Sequence, residues 1–113
     1  MTTHMTTALK NAPLPAGSPD TAPTVLTIDL GAVAANYETV RRIIGAKCAA
    51  AAVVKADSYG IGMAPVVAAL ENRDCPLYVV ATPDEALALR PLTTKPILAL
   101  GGTFGSAADE YIH

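Results

Sequence analysis

The sequence predicts an α/β protein with parallel strands, and three observations carry the prediction. Short apolar runs alternate with segments of helical period, strand then helix, four times along the chain. One run, Ala49–Val54, is apolar at every position, the pattern of a strand buried on both faces between helices. Capping residues and glycines fall at the joints between the runs. Such alternation implies a parallel sheet with right-handed crossovers. Pattern alone leaves two architectures open, a doubly wound sheet and a (β/α)8 barrel. A barrel takes about 250 residues, and the chain has 113.

The elements follow in order. Residues 1–23 hold four prolines, Pro13, Pro15, Pro19 and Pro23, with several threonines and no apolar period. They are expected to form a flexible tail whose ordering entropy nothing offsets, and His4 within it is not expected to bind a ligand. The folded region is expected over 24–113. Val25, Leu26, Ile28 and Leu30 predict a first short strand. Gly31 to Ile44 predicts a helix, with Val33, Tyr37, Val40 and Ile44 on its buried face and Gly45 as a left-handed stop. Ala49–Val54 is the next strand and Lys55 ends it. Asp57–Gly62 reads as a loop with two glycines. Met63, Val66, Val67 and Leu70 mark a second amphipathic helix, and Leu77–Ala81 a strand. Thr82-Pro83-Asp84-Glu85 is a helix start: a threonine cap, proline in the first turn, and glutamate three after the cap. That helix stops before Pro91. Pro96–Leu100 is a further strand ended by Gly101-Gly102, and Ser106 to Asp109 opens another helix.

Composition excludes several functions. Hydrophobic residues are 51% and charged ones 16% of the chain, so most of it requires a core. A net charge of −2 with no Lys/Arg block offers no field for nucleic acid or an anionic membrane. No apolar run approaches the ~18 residues of a membrane span, and no basic-then-apolar leader is visible. A cytoplasmic protein is expected. Cys48 and Cys75, 27 residues apart, form no CxxC and have no histidine nearby. Two buried thiols are expected rather than a metal site or a disulfide.

The chemistry concentrates in Ala52-Val53-Val54-Lys55-Ala56-Asp57-Ser58-Tyr59-Gly60-Ile61-Gly62. A lysine at the C-terminal end of a buried strand stands on the rim where α/β folds build sites. There a dry wall disfavours the ammonium and frees the amine as a nucleophile for Schiff-base chemistry. By position alone the residue also fits a lysine snorkelling out of a strand end. The flanking residues discriminate. The stretch resembles the pyridoxal-phosphate signature of bacterial alanine racemases: VVKA, Asn or Asp, a small residue, then YGxG. Ile61 stands where the family commonly has histidine, and Ser58 where it has alanine. Thr27-Ile28-Asp29-Leu30 with Asn36, Val80-Ala81 with Glu85-Ala86 and Leu89-Arg90, and Pro96-Ile97-Leu98 with Leu100-Gly101-Gly102 extend the resemblance over roughly residues 24–105.

The resemblance implies the barrel of the two architectures, here its N-terminal strand-helix units only. It implies that Lys55 binds pyridoxal 5'-phosphate as a Schiff base and that Tyr59 hydrogen-bonds the cofactor phosphate. It implies interconversion of L- and D-alanine by two bases, the freed lysine and a partner-subunit tyrosine, in a homodimer that supplies D-alanine for peptidoglycan. Tyr37, Tyr59, Tyr78 and Tyr111 do not fall in that base motif. The second base and the arginine for the substrate carboxylate are expected beyond His113, so the chain alone is expected to be incomplete and inactive. In the family the first strand packs outside the barrel. Three barrel strands then remain, and these cannot close and leave an edge and an apolar face uncovered. A non-catalytic pyridoxal-phosphate-binding protein of the same barrel fold, and a racemase for another amino acid, are the alternatives. Gly101-Gly102-Thr103-Phe104-Gly105 lacks the spacing of a phosphate loop and reads as a strand-to-helix turn. Asp84 and Glu85 read as capping residues.

Overall fold

The computed structural model describes residues 23–103 and 105. The expected N-terminal tail up to residue 22 and the helix expected from Ser106 lie outside the described residues. Within them, helix α1 (Leu30–Ile44) is followed by strand β1 (Ala52–Val53), a short helical turn (Lys55–Tyr59) and helix α2 (Met63–Glu71). Strand β2 (Tyr78–Val80), helix α3 (Pro83–Leu89), a 3-10 turn (Arg90–Leu92) and strand β3 (Ile97–Ala99) complete the order. The three strands form one parallel sheet in the order β1-β2-β3. Val53, Val79 and Leu98 lie abreast in its register.

The first expected strand does not form. Val25, Leu26 and Ile28 are exposed, and residues 25–29 pair with no strand among those described. Their apolar pattern is real, but a strand needs a neighbour to complete its ladder. Asp29 instead caps α1, its Oδ1 accepting from the Ala32 N–H at 2.9 Å, so Leu30 opens the helix. Helix α1 buries Ala34 and Tyr37. Val40, expected on that face, is exposed, and the Arg41 guanidinium lies over the Tyr37 ring instead, 5.9 Å from its centroid. Gly45 ends the helix at φ 72, ψ 180, its N–H returning to the Arg41 carbonyl.

The core lies on one side of the sheet. Val54, Tyr78 and Val80 pack there with Val66, Val67 and Leu70 of α2, Leu89 of α3, Tyr37 and Cys75. The two buried phenols are satisfied by backbone: the Tyr37 hydroxyl donates to the Ala50 carbonyl at 3.0 Å and the Tyr78 hydroxyl to that of Val67 at 3.4 Å. Burial, above all, pushes the Tyr37 phenol up to about 12 and that of Tyr78 higher still. Both are core residues with the proton held. Of the cysteines, Cys75 is buried as expected and Cys48 is exposed.

Ala49–Val54 was expected to be covered on both faces, and this is corrected. Ala52 and Val54 are buried, whereas Ala49, Ala51 and Val53 are open, and only Ala52–Val53 is paired as strand. Helices cover one face of the sheet, and nothing among the described residues covers the other. Leu98 and Leu100 continue the open apolar face on β3. No helix of the described residues is long and apolar enough to cross a membrane.

Candidate active site

The strand β1 alternates Ala52 inward, Val53 outward and Val54 inward, which hands Lys55 to the open side at the C-terminal rim of the sheet. Lys55 is half-buried, and among the described residues its amine has no ion pair. The wall around it is less dry than expected, because Val53 on the same face is 43% exposed.

The segment after the lysine departs from the simple loop expected over Asp57–Gly62. Ala56, Asp57, Ser58 and Tyr59 all carry positive φ, between 51 and 58, and form one turn of left-handed helix. Each L-residue so placed costs roughly 1–2 kcal/mol. Gly60 (φ 84) extends the left-handed run without that cost, and Gly62 (φ 106), after Ile61, takes a positive φ that its lack of a side chain allows. The turn is closed by its own backbone: Ser58 N–H donates to the Val54 carbonyl, Gly60 to Ala56 and Gly62 to Asp57, at 2.9 to 3.0 Å. Tyr59 is the last non-glycine residue of this run, four after Lys55. The Tyr59 ring is 64% exposed.

Two carboxylates pin the turn. Asp57 Oδ1 accepts from the Met63 N–H at 2.6 Å, and so caps α2, whose Gly62 cap has no side chain to offer. Glu85 reaches across from α3, its Oε1 accepting from the Ala56 N–H at 2.8 Å. The expected capping box is present: Thr82 Oγ1 accepts from the Glu85 N–H, and Glu85 Oε2 accepts from the N–H groups of Thr82 and Ala81. The donations from Ala56 and then Ala81 hold the Glu85 carboxyl below its ordinary value. Thr82 and the Lys55 charge add to this, against an opposing push from desolvation. The carboxylate therefore does more than cap its helix. No local signal in the sequence pointed to its tie with Ala56.

Ser58, at the position where the resemblance has alanine, is buried with a hydroxyl that meets no partner among the described residues. Packing there suits the smaller side chain. Gly101 closes the rim between β2 and β3: its N–H donates to the Ala81 carbonyl at 2.8 Å, and a Cβ would stand 2.8 Å from that same oxygen. A cleft of about 630 Å³ lies elsewhere, lined by Tyr37, Arg41, Cys48, Ala50, Asp74 and Pro76. Its Arg41 is already engaged by Glu38 at 3.2 Å and the Arg73 carbonyl at 3.0 Å. Its Arg42 donates to the Thr39 hydroxyl at 3.2 Å, and Lys55 stands at the opposite, C-terminal rim of the sheet, so the cleft and the lysine are separate places.

Comparison with known proteins shows the family and the fold. A family described as alanine racemase, N-terminal domain, matches residues 28–113. A biosynthetic alanine racemase of Mesorhizobium japonicum is 41% identical over 76 residues, 67% of this chain and 19% of that protein. An alanine racemase of Geobacter sulfurreducens is 38% identical over 86 residues, 75% of this chain and 22% of that protein. Among solved structures, the alanine racemase of Bartonella henselae with covalently bound pyridoxal phosphate superposes with a TM-score of 0.64 at 32% identity, covering 75% of this chain and 25% of that one. An alanine racemase of Clostridium difficile 630 gives 0.62 at 31%, covering 74% and 22%. The likeness decides between the two architectures in favour of the barrel, of which the described residues are strand-helix units. The chain spans about a fifth of the length of the curated relatives it matches.

Proposed function

This chain belongs to the family of alanine racemase N-terminal domains, and from that premise we propose that it is the cofactor-lysine portion of an enzyme interconverting L- and D-alanine. The observation that carries the reading is Lys55 on the open rim of the sheet with Tyr59 one left-handed turn beyond it. The donor set fits pyridoxal phosphate: a primary amine with no ion pair among the described residues suits its aldehyde, and an exposed phenol suits its phosphate. When bound, pyridoxal phosphate supplies an electron sink that makes the α-proton of an amino acid removable.

The chain's own residues then have distinct tasks. Lys55 Nζ would hold the cofactor covalently and would move a proton on one face of the substrate. Tyr59 Oη donates to the phosphate. The left-handed turn fixes the spacing between these two groups. Val53, Leu98 and Leu100 give the apolar floor on which a ring can rest. Tyr37 and Tyr78, turned into the core, supply no second base. We assign that base to another part of the enzyme and the working form to a homodimer. Its setting is the cytoplasm, with D-alanine feeding peptidoglycan precursors. These last assignments draw on the family's chemistry.

Treatment of the chain with pyridoxal phosphate, followed by borohydride reduction and peptide mass spectrometry, tests the assignment of Lys55. Among the lysines of the described residues exposure alone favours Lys47, which is exposed while Lys55 and Lys95 are half-buried. The reading predicts that the label concentrates on Lys55. Label distributed over the lysines by exposure would refute it.

A further inference from the structure

The Glu85 carboxylate occupies a place that helix capping alone does not require. A capping box uses the glutamate of the third helical residue to satisfy the backbone of its own cap, and Glu85 Oε2 does this with Ala81 at 2.7 Å and Thr82 at 3.3 Å. The other oxygen, Oε1, turns outward to the Ala56 N–H at 2.8 Å, 29 residues away. Ala56 is the residue after Lys55 and the first at positive φ, so its N–H has left the ladder of β1. One carboxylate thus joins the C-terminal ends of two neighbouring strands, at the point where the backbone changes hand.

We propose that Glu85 is a positioning residue for the cofactor lysine: by holding the Ala56 N–H it fixes the entry to the left-handed turn, and with it the direction in which Lys55 and Tyr59 leave the sheet. The inference rests on the reading of Lys55 as the cofactor residue. Four consecutive L-residues at positive φ are unfavourable on their own, and right-handed or extended geometry at Ala56 would redirect both side chains. The turn's internal hydrogen bonds close it once formed. Asp57 anchors its far end to α2, and among the described residues Glu85 alone holds the Ala56 N–H with which the left-handed run begins. The carboxylate also lies close enough to Lys55 to feel its charge, but it makes no hydrogen bond with that amine.

The test compares Glu85→Ala with Thr82→Ala. The second removes the other half of the capping box and leaves the Ala56 contact intact. Two quantities are read on the full chain: hydrogen exchange at the Ala56 amide without cofactor, and the ratio of Lys55 to Lys47 labelled by pyridoxal phosphate and borohydride. Glu85→Ala is expected to speed Ala56 exchange and to lower the labelling ratio, each by about tenfold, the effect of losing one charge-assisted hydrogen bond. Thr82→Ala is expected to lower the melting temperature while leaving the ratio unchanged. Glu85→Gln keeps the length but only one acceptor oxygen, should fall between, and decides the matter if Glu85→Ala does not fold. An unchanged ratio in the Glu85 variants, or an equal fall in Thr82→Ala, overturns the proposal. If the unsubstituted chain shows no preference for Lys55, the functional reading fails. Ala56 exchange then still judges the clamp.

Discussion

The two faces of the three-stranded sheet are built from alternate residues of the same strands and have opposite characters. On the helix-covered face Val54, Tyr78 and Val80 are enclosed, in ordinary backbone geometry, by Val67, Leu70 and Leu89. On the other face Val53, Leu98 and Leu100 stay open, and the strand that carries Val53 runs directly into four residues of left-handed backbone. The covered face holds the fold, and the open face with its rim carries the proposed site. The strained backbone gathers beside the lysine, the buried Ser58 included. There it is held by hydrogen bonds from two carboxylates rather than by packing.

The largest effect should come from truncating the same side chain on each face. Leu89→Ala leaves a cavity in the covered core and should cost about 2–5 kcal/mol. Leu98→Ala, at a position 48% exposed, should cost less than about 1 kcal/mol. Urea unfolding of the two variants measures the difference, and equal losses would break the comparison. A smaller effect of opposite sign is expected in the turn. Ala56→Gly relieves a positive φ but adds freedom to the unfolded chain, for a net gain of about 0.5–1 kcal/mol. It should also loosen the spacing of Lys55 and Tyr59. Destabilisation by this substitution would mean that the turn is not strained at Ala56.

Much of this division was legible in the sequence. The box at Thr82-Pro83-Asp84-Glu85 requires only local residues, and both halves of it form. The lysine at a strand end and the parallel pairing of the strands followed from apolar runs and their spacing, and the resemblance implied that three of them belong to one sheet. What failed depended on distant partners. Val25–Leu30 has the apolar pattern of a strand, but no neighbour among the described residues pairs with it. Ala49–Val54 reads as covered on both faces because hydrophobicity records what a residue prefers, not whether a partner is there. The left-handed turn announces itself only through Gly60 and Gly62. Ala56, Ser58 and Tyr59 have no leaning toward positive φ, and the group that receives the first of their N–H bonds belongs to a helix 29 residues on.

The smallest expected effect is one of pH, and it isolates the rim from the core. The folded-state pKa of Glu85 lies below its ordinary value of 4.5. Its contribution to stability is therefore complete above that value and fades as the pH falls through the lowered one. In acid the Ala56 amide should lose protection in step with Glu85 protonation, while amides of the covered core, such as that of Val80, stay protected until global unfolding. Hydrogen exchange by NMR across this range reads both. Simultaneous loss at the two places would mean that rim and core are one cooperative unit.

The central claim, that the open face and its left-handed turn present a cofactor lysine, is tested most directly by a crystal structure of the chain after borohydride reduction with pyridoxal phosphate. The account predicts continuous density from Lys55 Nζ to the cofactor, the ring lying over Val53 and Leu98, and the phosphate within hydrogen-bond distance of Tyr59 Oη. Cofactor attached at Lys47 or Lys95, or a phosphate remote from Tyr59, would contradict it.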